Sequence, residues 1–142
     1  MARSFDLLIV DDDAAQVLLL GLLLQELDLS HKYHHCSSGA ETLDFLHRRP
    51  PFEQAPRPHL ILLDLNMPGM NGCEVLRQVK SDPELRSIPV VMLSTSRSLE
   101  DVQACYDAHA NAYIRKPTDL DSNVAMLRHL DQFWTDCELV SG

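Results

Sequence analysis

Leu60-Ile61-Leu62-Leu63-Asp64-Leu65-Asn66-Met67-Pro68-Gly69-Met70-Asn71-Gly72 joins an apolar run, a single carboxylate and a cluster of turn formers. The four leading aliphatics do not alternate with polar residues, the pattern of a strand covered on both faces within a parallel sheet. Asp64 then stands at the carboxyl end of that strand. Beyond it, Pro68-Gly69 suits a type II turn, and Asn71-Gly72 supplies backbone angles that launch a following helix.

Working outward, residues 7–10 (Leu-Leu-Ile-Val) and 90–93 (Val-Val-Met-Leu) are two more continuous apolar runs. Residues 33–36 and 112–115 make weaker strands. Between and after them, helical periodicity predicts helices over 14–27, 40–47, 73–80, 99–109 and 120–136. In the first, Val17, Leu18, Gly21, Leu22 and Leu24 form a broad apolar stripe. In the last, Leu120, Val124, Leu127, Leu130, Trp134 and Cys137 form the inward stripe, while Met126 and Phe133 extend the apolar surface beyond it. Strand and helix alternate five times, which predicts an α/β, three-layer, doubly wound (βα)5 fold around a five-stranded parallel sheet. The segment 48–57 holds Pro50, Pro51 and Pro56 and reads as an extended surface connection.

The 142 residues suit one compact domain. With 12 Lys and Arg against 21 Asp and Glu, the net charge of -9 argues against nucleic acid and against anionic membrane surfaces. The longest aliphatic stretch, 17–24, is far short of the ~20 residues that cross a bilayer. No leader pattern opens the chain, so a cytoplasmic protein is expected. Cys36, Cys73, Cys105 and Cys137 form no C-x-x-C pair and read as reduced thiols. Neither the adjacent His34 and His35, which a strand would point to opposite faces, nor His31, His47, His59, His109 and His129 are given a catalytic role.

In open parallel sheets ligands bind beyond the carboxyl ends of the strands. Here the first apolar run ends in Asp11-Asp12-Asp13, the third strand in Asp64, the fourth in Ser94-Thr95-Ser96 and the fifth in Lys116-Pro117. Carboxylates gathered on one rim cannot all stay ionised without a compensating cation. Magnesium, an octahedral oxygen binder, suits Asp11, Asp12 and Asp64 with a carbonyl from the following loop. The alternative is that Asp11 and Asp12 cap the next helix; one cap suffices, however, and three acids are present. A carboxylate beside magnesium and Lys116 is equipped to attack phosphorus and carry a phosphoryl group, whose oxygens would be met by the metal, Lys116 and the Ser94 hydroxyl.

The run Asp64-Leu65-Asn66-Met67-Pro68-Gly69-Met70-Asn71-Gly72 resembles the phosphoacceptor loop of CheY-like response regulator receiver domains, and the resemblance spans nearly the whole chain. It implies a flavodoxin-like strand order of 2-1-3-4-5 and one receiver domain over 1–142, with a core of about 5–136 and a short tail at 137–142. It implies that Asp64 is the phosphoacceptor and that Asp11, Asp12, Asp64 and the Asn66 backbone carbonyl hold one Mg2+. It implies further that Ser94, Tyr113 and Lys116 are the switch hydroxyl, the rotating aromatic and the phosphate-binding lysine, with a cis bond at Lys116-Pro117. Asp13, Ser94 and Thr118 depart from the usual pattern, respectively as an extra acid, in place of threonine and in place of an aromatic.

The implied function is a stand-alone response regulator of a two-component phosphorelay, a phosphoacceptor with magnesium-dependent self-phosphorylation and autodephosphorylation rather than a turnover enzyme. Its partners would be a sensor histidine kinase and a second copy, the latter through the fourth helix, fifth strand and fifth helix. The proline-containing segment, Ser94-Thr95-Ser96 and Phe133-Trp134 are similar to single-domain regulators serving bacteriophytochrome kinases. The competing reading is a phosphorylation-independent adaptor with the same fold. An aspartyl-phosphate phosphatase lacks its second acid at Asn66, and no G-x-x-x-x-G-K-[ST] or G-x-G-x-x-G supports nucleotide binding.

Overall fold

A computed structural model describes residues 4–29 and 31–138; beyond position 138 the expected tail lies outside the described residues. Ten elements alternate: β1 (Asp6–Val10), α1 (Ala14–Glu26), β2 (Lys32–Cys36), α2 (Gly39–Leu46), β3 (Leu60–Asp64), α3 (Gly72–Ser81), β4 (Val90–Ser94), α4 (Leu99–Asp107), β5 (Ala112–Arg115) and α5 (Leu120–Asp136). The strands form one parallel sheet in the order β2-β1-β3-β4-β5. The continuous apolar runs occupy β1, β3 and β4 at its centre, where both faces are covered.

Alternate side chains feed two cores. Leu8, Val10, Ile61, Leu63, Val90 and Met92 pack with residues of α2, α3 and α4. Leu7, Ile9, Leu60, Leu62, Val91 and Leu93 pack with residues of α1 and α5.

Every helix starts on a side chain that accepts backbone N–H bonds: Asp13, Ser38, Asn71, Ser98 and Asp119. Such caps typically contribute about 1 kcal/mol each. Three helices, α1, α2 and α4, end on a left-handed residue that is not glycine. Asp28, Arg48 and His109 adopt positive φ, and the N–H of the residue after each reaches back to Leu24, Asp44 and Cys105 respectively, which is the Schellman arrangement. For that reason the fourth helix stops at Asp107, short of the expected 109.

Four expectations are corrected. Leu18 and Leu22 are exposed, because the α1 face that meets the sheet is Val17, Leu20, Gly21 and Leu24; a helix so uniformly leucine-rich offers no periodic signal to choose its inner side. On α5, Met126 is core and Leu120 is exposed, since the helix is rotated to bury Asn123, Met126 and Leu127. The segment 48–57 is less detached than expected, for Phe52 and Ala55 pack against the core. Among the described residues the cis peptide lies at Pro50-Pro51, and Lys116-Pro117 is not cis; the trans preference before proline is only about 0.5–1 kcal/mol, small enough for tertiary context to select either isomer.

Candidate metal and phosphoryl site

The carboxyl ends of β1, β3, β4 and β5 converge because the strands are parallel and adjacent. Asp11, one residue past β1, has its N–H bonded to the Cys36 carbonyl of β2 at 3.1 Å, which continues the ladder and turns its side chain onto the rim. Asp64 closes β3 from within the strand. Both are buried, while Asp12 is exposed. One carboxylate oxygen from each of the three lies within 4.8 Å of the others.

The helix cap is Asp13, whose carboxylate accepts from the N–H groups of Ala15 and Gln16. The capping alternative is thereby assigned to the third acid of the run, and Asp11 and Asp12 are left for the rim. The Asp13 N–H in turn donates to Asp11 Oδ1 at 2.8 Å. His35 supports the same turn from β2, its Nε2–H donating to the Asp11 carbonyl at 2.8 Å. Sequence patterning oriented His35 within a strand but carried no signal of what it would face.

Lys116 enters from the end of β5, its backbone N–H held by the Ser94 carbonyl at 2.8 Å. Its Nζ lies 2.7 Å from Asp11 Oδ2 and 3.6 Å from Asp64 Oδ2. Burial is the largest influence on Asp64 and raises its pKa; Lys116 pulls it down, Asp11 and Asp12 push it up, and the net direction is upward. On Lys116 burial pulls downward, but the Asp11 hydrogen bond and the Asp11, Asp64 and Asp13 charges outweigh it, so the ammonium form is held more firmly than usual. Three carboxylates facing one ammonium leave an excess of negative charge at a rim of oxygen donors, which is the donor chemistry a hard divalent cation requires.

Beyond Asp64 the loop bends tightly over the site. Gly69 takes φ 75°, as the expected type II turn needs. At Gly72 a Cβ would fall 2.2 Å from the Asp64 carbonyl oxygen, so only glycine allows α3 to start this close to β3. The Asn66 N–H donates to Asp64 Oδ1 at 3.3 Å and its side-chain amide to Ser94 Oγ at 3.3 Å. Ser94, fully buried, also accepts from the Ser96 N–H at 3.0 Å.

Tyr113 sits apart from the acidic cluster, half-buried on the α4 side of the sheet. Its hydroxyl donates to the Ser96 carbonyl at 3.1 Å, and its N–H on the open edge of β5 donates to the Tyr106 hydroxyl at 3.1 Å. The sequence marks Ser96 only as part of the Ser94-Thr95-Ser96 run, without these partners, and nothing in the local pattern marks Tyr106.

A family model described as the response regulator receiver domain matches residues 7–128. Response regulator Rcp1 of Synechocystis sp. is 37% identical over 130 residues, covering 92% of this chain and 88% of Rcp1. The crystal structure of the Mn(2+)-bound form of Rcp1 aligns with a TM-score of 0.87 at 36% identity, over 96% of this chain and 99% of that one. The phosphorylated cyanobacterial phytochrome response regulator RcpA aligns at 0.90 and 36% identity, over 98% of this chain and all (100%) of that one. The bacteriophytochrome response regulator RtBRR aligns at 0.74 and 39% identity, over 90% of this chain and 78% of that one.

Proposed function

The chain belongs to the response regulator receiver family, and from that premise we propose that it takes a phosphoryl group onto Asp64 from a phosphohistidine of a sensor kinase. One observation carries the reading: a buried Asp64 shares its rim with Asp11 and Asp12 and faces the ammonium of Lys116. An Asp64 carboxylate oxygen attacks phosphorus, the P–N bond breaks, and its electron pair returns to the imidazole nitrogen, which takes a proton from solvent. The nucleophile needs no general base because it is already an anion. Lys116 neutralises one phosphoryl oxygen and the Ser94 hydroxyl donates to another.

Asp11, Asp12, Asp64 and the Asn66 carbonyl would hold one Mg2+. When bound, it supplies charge neutralisation for the carboxylates and the transferred phosphoryl group. The protein acts as a phosphoacceptor whose acyl phosphate is lost by hydrolysis, not as a turnover enzyme. It works in the cytoplasm; among the described residues no helix is long and apolar enough to cross a membrane.

The kinase we propose is of the phytochrome type, a reading supported by the likeness to RcpA, named a phytochrome response regulator, and to RtBRR, named a bacteriophytochrome response regulator. For output we propose a homodimer through α4, β5 and α5. Leu99, Tyr106 and Phe133 are large exposed apolar side chains on those elements. A groove of about 790 Å³ at Phe133 is lined also by Ala112, Ile114 and Trp134 together with Arg97 and Arg115.

Intact mass after incubation with magnesium and acetyl phosphate tests the phosphoacceptor. The expected result is one phosphoryl adduct on the wild type, abolished in Asp64→Asn and by EDTA. A wild type that takes no phosphate, from acetyl phosphate or from a phytochrome kinase, would replace this reading with the phosphorylation-independent adaptor.

A further inference from the structure

Two of the four cysteines meet where α3 packs against α4. Cys73 lies in the first turn of α3 and Cys105 towards the end of α4, and both project into the same core. Cys105 is fully buried, whereas Cys73 keeps 8% exposure. Both are thiols in this structure. A cavity of about 150 Å³ is lined by the pair together with Asn66, Asn71 and Asp101. Asn66 and Asn71 are exposed, so the polar lining leads from solvent to the sulfurs. At about 30 Å³ per water the cavity has room for several molecules of that size, and hydrogen peroxide is little larger.

The two side chains act on each other directly, Cys73 being both a charge and a hydrogen-bond partner of the Cys105 thiol. Burial is the largest influence on Cys105 and pushes its thiol up to about 11; the Cys73 and Asp101 charges and the bond to Cys73 act in the same direction, against Arg77. A hydrogen bond that raises a thiol's pKa is one that its protonated form makes. The Cys105 S–H therefore donates to the Cys73 sulfur, which is also the one of the two with exposure. Cysteines that merely fill a core pack as small apolar groups; this pair adds sulfur-to-sulfur contact and a polar approach.

We propose that Cys73 and Cys105 are a peroxide-responsive thiol pair, which a peroxide oxidises to a disulfide tying α3 to α4. The Cys73 sulfur attacks one peroxide oxygen; the S–O bond forms, the O–O bond breaks, and the departing hydroxide leaves as water with the Cys73 proton. The Cys105 sulfur then attacks the Cys73 sulfur. The S–S bond forms, the S–O bond breaks, and the second hydroxide leaves as water with the Cys105 proton. The two thiols give up two electrons in all, and one peroxide becomes two waters. A small-molecule thiol reverses the bond by exchange, as suits the transient disulfides of a reducing compartment. No phosphate on Asp64 is needed.

The reduced native protein, treated with hydrogen peroxide and then alkylated in urea, tests this. The expected product is lighter by about 2 Da, carries alkyl groups on two of its four cysteines, and yields a peptide joining Cys73 to Cys105. Dithiothreitol should restore all four. The oxidised protein should also unfold at higher urea than the reduced one, since the bond restricts the unfolded chain. Cys105→Ala should stop at a Cys73 sulfenic acid that dimedone captures, and Cys137→Ser should leave the disulfide in place. The wild-type peptide map decides the matter even where a variant fails to fold. A map in which Cys73 and Cys105 remain fully alkylated while Cys137 oxidises overturns the proposal. So does a Cys73–Cys105 link that forms only when peroxide is added in urea.

Discussion

Lys116 and Lys80 stand at opposite ends of the same sheet, each half sunk into the protein, and their surroundings differ in kind. At the amino end, Lys80 donates to the carbonyls of Arg86 and Ile88 and to the side-chain oxygen of Asn111, at 3.0, 2.8 and 3.0 Å. Asn111 in turn receives the N–H of Val90, so the lysine closes a neutral cage that fixes the entry to β4 and β5. Burial lowers the Lys80 pKa. At the carboxyl end, Lys116 faces Asp11 and Asp64, with Asp12 beside them. One cation satisfied by neutral oxygens is structural, whereas one cation outnumbered by carboxylates leaves a site that still requires positive charge.

Replacing each lysine by methionine should separate the two roles. Lys116→Met leaves buried carboxylates uncompensated and should cost about 3 kcal/mol in metal-free urea unfolding. Much of that loss should return with saturating divalent cation, because the metal substitutes for the missing charge. Lys80→Met takes the ammonium from the Arg86 and Ile88 carbonyls and from Asn111, which keeps its bond from Val90, and should cost about 2 kcal/mol, with no recovery by metal. Equal metal responses in the two variants would erase the distinction.

A smaller effect concerns the sign of the pH dependence. Asp64 has a folded pKa above its unfolded value, so its contribution to stability is fully present below the unfolded value, about 3.9, and is lost as pH rises through the folded one. Metal-free Asp64→Asn should therefore match the wild type near pH 4 and exceed it in stability at pH 7. A gap that closes as pH rises would show that Lys116 outweighs burial and the other acids. The smallest effect lies away from both poles. His109 holds φ 73° at the end of α4, where glycine avoids the Cβ clash, so His109→Gly should raise the urea midpoint by the equivalent of about 0.5–1 kcal/mol.

Much of the site was legible before any coordinates because its residues fall immediately after apolar runs. Asp11, Asp64, Ser94 and Lys116 each end or follow a strand, and parallel strands bring such ends together without any detail of packing. The division of labour within Asp11-Asp12-Asp13 was not legible, since all three are chemically alike and only the backbone path makes Asp13 the cap. Nor could local pattern show that His35 holds the Asp11 carbonyl or that Ser96 joins Ser94, Tyr113 and Asp101. Those bonds link residues on different elements.

Hydrophobic period and strand-end placement are local properties of the chain, and the alternation of elements, the doubly wound class and the carboxylate rim with its lysine follow from them. Packing between elements settles which faces of α1 and α5 are buried and which polar atoms meet across elements. Those outcomes turn on differences of a kcal/mol or so among alternatives that the local chain allows equally, and contacts made between distant segments select among them.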